Sequence, residues 1–121
     1  MPAIVLSLVL ALSAALEEGN AARFLAQIDK QKCPDYGMLE ANVVALVAQY
    51  EVGSSVGVVT ETRDGEAREL KLDWLLRLRP SGGGATTERR GQMRCRLESR
   101  GKNWKVTALG PASFFSAVVT R

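Results

Sequence analysis

Residues Glu69 to Pro80 read ELKLDWLLRLRP, and the two interleaved halves of this stretch are unlike. Leu70, Leu72, Trp74, Leu76 and Leu78 are all apolar, whereas Lys71, Asp73, Leu75, Arg77 and Arg79 are charged at every position but one. Side chains along a strand alternate between opposite faces, so the stretch predicts a strand with one buried and one solvated face. Just before it, RDGE at 63–66, with Asp64-Gly65 at its centre, is a hairpin signal. The strand that would pair across that turn is EVGSSVGVVTET, with Val52, Val56 and Val58 on one side.

The pattern continues downstream. SGGGATT at 81–87 reads as a flexible loop; its glycines lack the Gly-Lys-Ser/Thr ending into a helix that a phosphate cradle needs. ERRGQMRCRLESR places Met93, Cys95 and Leu97 on one side, opposite Glu88, Arg90, Gln92, Arg94, Arg96 and Glu98. RGKN at 100–103 is a second tight turn, and NWKVTAL points Trp104, Val106 and Ala108 inward. ASFF at 112–115 packs back as a helical turn or an irregular cap.

The first half has helical spacing. Asn20 is an N-cap for AARFLAQID, in which Ala21, Phe24, Leu25 and Ile28 form one stripe. KQKCPDYG is a connector punctuated by Pro34 and Gly37, and MLEANVVALVAQY sets Leu39, Val43, Leu46, Val47 and Tyr50 on one face. The opening MPAIVLSLVLALSAALEEGN has two readings. Residues 1–15 resemble a secretory signal peptide. The preferred reading is a buried helix ending at Gly19, because no Lys or Arg precedes the apolar run and the pattern continues through Leu16. The run is too short for a transmembrane helix, which needs about 20 apolar residues.

Helices followed by antiparallel strands predict an α+β fold in a single domain, 1–121: two to three N-terminal helices on a curved four-stranded antiparallel sheet. A twisted sheet bent over helices encloses a cone whose mouth can become a pocket. Tyr36, Tyr50, Trp74, Met93 and Trp104 are the candidates for lining it, and core packing is the competing role. Asp35, Glu40 and Glu51 are the carboxylates expected near the mouth.

Composition restricts the chemistry. The 121 residues include no His, which excludes imidazole bases and His-containing metal sites or triads within the chain. Two cysteines, Cys33 and Cys95, are too few for a disulfide framework; a single bridge would suit an exported protein, and reduced core thiols are the preferred reading. Cys33 stands beside Lys30 and Lys32, which would lower its pKa, but it lacks the usual base. Net charge is only +3, so the distribution of charge matters more than its sum. The charged sheet face carries Lys71, Arg77, Arg79, Arg90, Arg94, Arg96 and Lys105 against Asp73, Glu88 and Glu98. It has no aromatic side chains for stacking bases, which argues against nucleic acid.

LEEGNAARFLAQID, LEANVVALVAQYEVGSSV, ELKLDWLLRLR and ERRGQMRCRLESRGKNWKVTAL, with FF near the end, resemble the nuclear transport factor-like family. This is the cystatin-like α+β roll that also houses ketosteroid isomerase; small uncharacterised bacterial members are the most similar group. The resemblance implies a first helix over Pro2 to Glu18 and, as sheets of this family often do, a homodimer through the sheet face centred on Leu75. Isomerase or dehydratase members place a carboxylate base inside the cone, often with Tyr or His donors. Here the inward positions are almost all Leu, Val, Met, Trp and Cys, and strand alternation turns Asp73 away unless a bulge reverses the register.

The leading expectation is therefore a non-catalytic roll that binds a small apolar ligand or a protein partner, with no catalytic residue, metal or cofactor assigned. An isomerase, dehydratase or hydrolase using a carboxylate in the cone is the alternative, and an electrostatic adaptor acting through the Arg-rich face is the third reading. Location is cytoplasmic in the preferred reading, and secreted or periplasmic if 1–15 is a signal peptide.

Overall fold

Leu70 is 3% exposed and Leu72, Trp74, Leu76 and Leu78 are fully buried, so the alternation of the 69–80 stretch maps onto the inner face of a sheet. Each such side chain is worth about 1.5–3 kcal/mol when withdrawn from water. The structure, a computed structural model, describes residues 3–118. In it α1 (Ala3–Glu17), α2 (Ala21–Ala26) and α3 (Tyr36–Gln49) precede β1 (Tyr50–Asp64), β2 (Ala67–Pro80), β3 (Thr87–Arg100) and β4 (Asn103–Gly110), and a 3-10 turn spans Ala112–Phe115. The strands form one antiparallel sheet in the order β1-β2-β3-β4. The fold is α+β, three helices laid on a curved sheet.

The helix junctions follow from local chemistry. At the end of α1, Gly19 adopts φ 68°, Asn20 N–H reaches Ala15 O at 2.9 Å and Gly19 N–H reaches Leu16 O at 3.1 Å, the paired bonds of a Schellman ending. Asn20 then caps α2 by accepting from Arg23 N–H at 2.9 Å. The Pro2 start expected for the first helix lies outside the described residues, and α1 ends at Glu17.

Several boundaries move. α2 stops at Ala26, and Ile28 leaves the helix to bridge Val106 in parallel, which extends the sheet beyond β4. Gly37 lies inside the first turn of α3 rather than in the connector, and Tyr50 opens β1 rather than closing α3. The first hairpin turns on Gly65-Glu66, since Asp64 still pairs with Ala67. Gly65 takes φ 60°, as the first central residue of such a turn requires.

Two bulges set the register. One falls between Val58 and Thr60 in β1, the other opposite Arg96/Leu97 in β4. The second corrects an expectation: Arg96 pairs with Ala108 and Leu97 with Val106, so the extra residue Thr107 breaks the alternation. Val106 and Leu109 face inward, and Ala108 turns to the outer face beside Arg96. No bulge falls at Asp73, which pairs in register with Gly57 and Gln92.

Candidate functional site in the roll interior

The interior of the roll is aromatic at its centre. Trp74 is fully buried, and its ring meets Phe115 edge-on at 5.2 Å and Phe114 at 6.4 Å; Phe115 meets Phe24 at 5.4 Å. The polar handle of Trp74 is satisfied inside the fold: Nε1–H donates to Ser54 Oγ at 2.8 Å, and Ser54 Oγ shares a 2.6 Å hydrogen bond with Ser13 Oγ of α1. A buried indole N–H without a partner is costly, so this chain of hydroxyls fixes the ring.

The open side of the roll is closed by the 3-10 turn rather than by a helix of the main body. Phe114 sits over Gly91 on β3, opposite Trp74 in the register. Arg89, two residues earlier on the same inner face, donates from Nη1 to Phe114 O at 2.6 Å and Ser116 O at 2.8 Å, and from Nη2 to Val118 O at 3.1 Å. Asn42 Nδ2 donates to Ala112 O at 2.9 Å and Tyr50 Oη to Ala117 O at 3.2 Å. Desolvation draws the Arg89 pKa downward, but a guanidinium stays charged in proteins. Among the described residues its hydrogen-bond acceptors are neutral main-chain carbonyls.

The five pocket candidates are dispersed. Trp74 and Met93 are fully buried among side chains. Tyr36 is half-buried at the start of α3, where desolvation raises its phenol pKa. Tyr50 borders an open depression of about 580 Å³ shared with Leu16, Glu51 and Arg77. Trp104 borders another of about 470 Å³ with Ile4 and Leu8, and Arg68 stacks on its ring at 5.6 Å. Of the expected mouth carboxylates, Glu51 pairs with Arg79 at 3.8 Å, Asp35 precedes α3 at φ 60° without a side-chain capping hydrogen bond, and Glu40 is exposed on α3. The strand alternation that placed Met93 inward also places Gly91 and Arg89 there, as it places Ser54 beside Val52 and Val56. That signal was present; ASFF packs back as a turn, as expected, but nothing in it named Gly91 as the seat of Phe114.

On the outer face the basic residues are largely neutralised. Arg90 makes a two-pronged contact with Asp73 at 2.8 and 3.2 Å, Arg77 meets Glu88 at 3.0 Å, and Arg96 gathers Glu69, Asp64 and Glu98 at 2.6 to 3.1 Å. Asp73 is therefore an ion-paired surface carboxylate whose pKa Arg90 lowers by hydrogen bonding. Lys105 turns from the face and donates to Ala26 O at the end of α2. Lys71 and Arg94 stand opposite each other across β2 and β3. Both cysteines are free and buried. Burial raises the Cys33 pKa, against the lowering expected from Lys30 and Lys32, and pushes Cys95 up to about 12. Neither thiol is primed as a nucleophile.

Solved structures share this fold, three of them at the following similarity. A conserved protein from Planctomyces limnophilus superposes with a TM-score of 0.75 at 10% identity, covering 87% of this chain and 89% of its own. A candidate scytalone dehydratase from Novosphingobium aromaticivorans gives 0.74 at 9% identity, covering 87% and 78%. A nuclear transport factor 2-like superfamily protein from Salmonella enterica serovar Typhimurium gives 0.67 at 8% identity, covering 85% and 83%. The fold is the nuclear transport factor 2-like roll. No family model and no curated protein matches the sequence. At these identities the likeness carries the fold and leaves the chemistry to this chain's own residues. Among the described residues of this roll no helix is long and apolar enough to cross a membrane, and no group of His, Cys, Asp or Glu is arranged to hold a metal ion.

Proposed function

We propose that this protein is a non-catalytic roll domain whose interior receives a small apolar ligand or an apolar side chain of a protein partner. One observation carries the reading: the aromatic interior is closed on its open side by a single short turn, Ala112–Phe115, held through side chain to carbonyl hydrogen bonds. Displacing that turn opens an apolar space without unpairing any strand.

The name of the Novosphingobium neighbour brings a dehydratase reading to this chain. Such chemistry needs an acid or base beside the substrate. The buried carboxylate Asp29 is engaged by Arg100 beyond the end of α2, and among the others Asp73 meets Arg90 on the outer face and Glu98 meets Lys32 and Arg96. The polar groups beside Trp74 and the closing turn are the Ser13 and Ser54 hydroxyls, the Asn42 amide, the Tyr50 phenol and the Arg89 guanidinium, a set without a carboxylate that suits binding better than proton transfer. Thermal unfolding of the full chain and of Phe114→Ala in the presence of naphthalene, a neutral apolar probe, tests the reading. A saturable rise in Tm is expected, larger in the variant; no rise in either protein overturns it.

Leu75 supports a second contact, between two copies of the chain. It is the large apolar residue on a β2 face that carries Glu69, Lys71, Asp73, Arg77 and Arg79, and it is half-buried. Sedimentation velocity is expected to give a dimer that Leu75→Arg converts to monomer; a wild-type monomer at high micromolar concentration rejects this contact.

A further inference from the structure

We propose that the seat of Phe114 is a binding site for small aryl or alkyl carboxylates, whose carboxylate takes Arg89 from the main-chain carbonyls while the apolar body replaces the Phe114 ring. This assignment rests on the ligand-binding reading of the interior and names the chemical class of the ligand.

The chain's own C-terminal segment carries the pattern such a ligand would reproduce. An aromatic ring lies against Trp74 and over Gly91, and an oxygen atom close to that ring sits 2.6 Å from Arg89 Nη1. Phe114 thus behaves as a tethered occupant with a neutral acceptor. Gly91 is what makes the seat: a Cβ there would come within 2.9 Å of the Phe114 ring. Trp74 supplies a flat wall fixed through Ser54 and Ser13, so the site is rigid on the sheet side.

Arg89 supplies the preference for an anion. It is a half-buried cation whose acceptors among the described residues are carbonyls from three residues of one segment. Guanidinium to carboxylate contacts are two-pronged and roughly twice as strong as those to neutral acceptors. A carboxylate therefore competes with the segment at Arg89, where an alcohol of the same shape does not. The tethered segment competes at high effective concentration, so the free ligand binds with reduced apparent affinity until Phe114 is removed.

Calorimetric titration of the full chain with 3-phenylpropanoate and with 3-phenyl-1-propanol separates the two contributions, since the probes share one apolar body. The carboxylate is expected to bind about tenfold more tightly than the alcohol, the scale of one charge-assisted hydrogen bond. Arg89→Met is expected to remove that ratio, and Phe114→Ala to tighten both probes. In the unaltered protein, the carboxylate should shift the Trp74 indole N–H and Phe114 amide NMR resonances at concentrations where the alcohol does not; this readout needs no variant to fold. Equal binding of the two probes overturns the Arg89 assignment and leaves the apolar-ligand reading intact. Binding of neither probe, even to Phe114→Ala, overturns both.

Discussion

A Cβ atom placed on Gly91 would lie 2.9 Å from Cδ1 and Cε1 of Phe114, so the ring of one residue fills the space of the side chain the other lacks. Gly91 has no positive φ to maintain; its requirement is steric. Gly91→Ala is therefore expected to cost about 1–3 kcal/mol, the scale of overpacking a filled core. In a Phe114→Ala background the same substitution should cost less than about 0.5 kcal/mol, because the clash partner is gone. Urea unfolding of the four proteins of this cycle measures the coupling, and additive costs would reject the ring-on-glycine contact.

Ser54 carries the indole of Trp74 on one side and the hydroxyl of Ser13 on the other. Ser54→Ala removes the hydrogen-bond partner of the buried Trp74 N–H, at an expected cost of about 1–3 kcal/mol. Ser13→Ala leaves the indole bond in place and should cost less. Denaturant midpoints for the two variants are the check; a larger loss at position 13 would reject this order of dependence.

The sheet was legible where burial fell on one face only. Leu70, Leu72, Trp74, Leu76 and Leu78 alternate with solvated residues, and the structure buries all five. β4 was harder because it has eight residues and Thr107 breaks its alternation, so Ala108 and Leu109 exchange faces. The helix α1 has two readings because its outer side is apolar too, with Ile4 48%, Leu6 40% and Leu10 49% exposed. Arg89, Gly91 and Ser54 could have been found by carrying the strand alternation further along β3 and β1. The meeting of Phe114 with Gly91 could not, since it joins two positions on separate elements and no local pattern encodes it. Asp73 was legible in full: its parity with Lys71 and Arg77 set it on the outer face, where Arg90 holds it.

α1 buries Val5, Leu8, Val9 and Leu12, none more than 7% exposed, against the rest of the core. At about 1.5–3 kcal/mol for each buried aliphatic side chain, their removal consumes most of a stability of 5–15 kcal/mol. A chain beginning at Leu16 is expected to show no cooperative thermal transition by circular dichroism. A sharp transition in that chain would mean that the helix is dispensable to the roll.

Glu98 receives Lys32 Nζ at 3.0 Å and Arg96 Nε at 3.1 Å, and hydrogen bonding, first from Lys32 and then from Thr107 and Arg96, lowers its pKa from 4.5 to about 2. Because the folded chain holds this proton less readily than the unfolded chain, Glu98 contributes stability that is complete above pH 4.5 and fades as the pH falls toward about 2. The side chain is 26% exposed, and solvent screening limits the contribution to about 1 kcal/mol. Glu98→Gln removes the charge without changing the shape. It is expected to lower the urea midpoint at pH 7 and to flatten the loss of stability between pH 4.5 and 2, so that the two proteins converge in acid. Parallel pH profiles for the wild type and Glu98→Gln would place the acid sensitivity of the fold on other carboxylates.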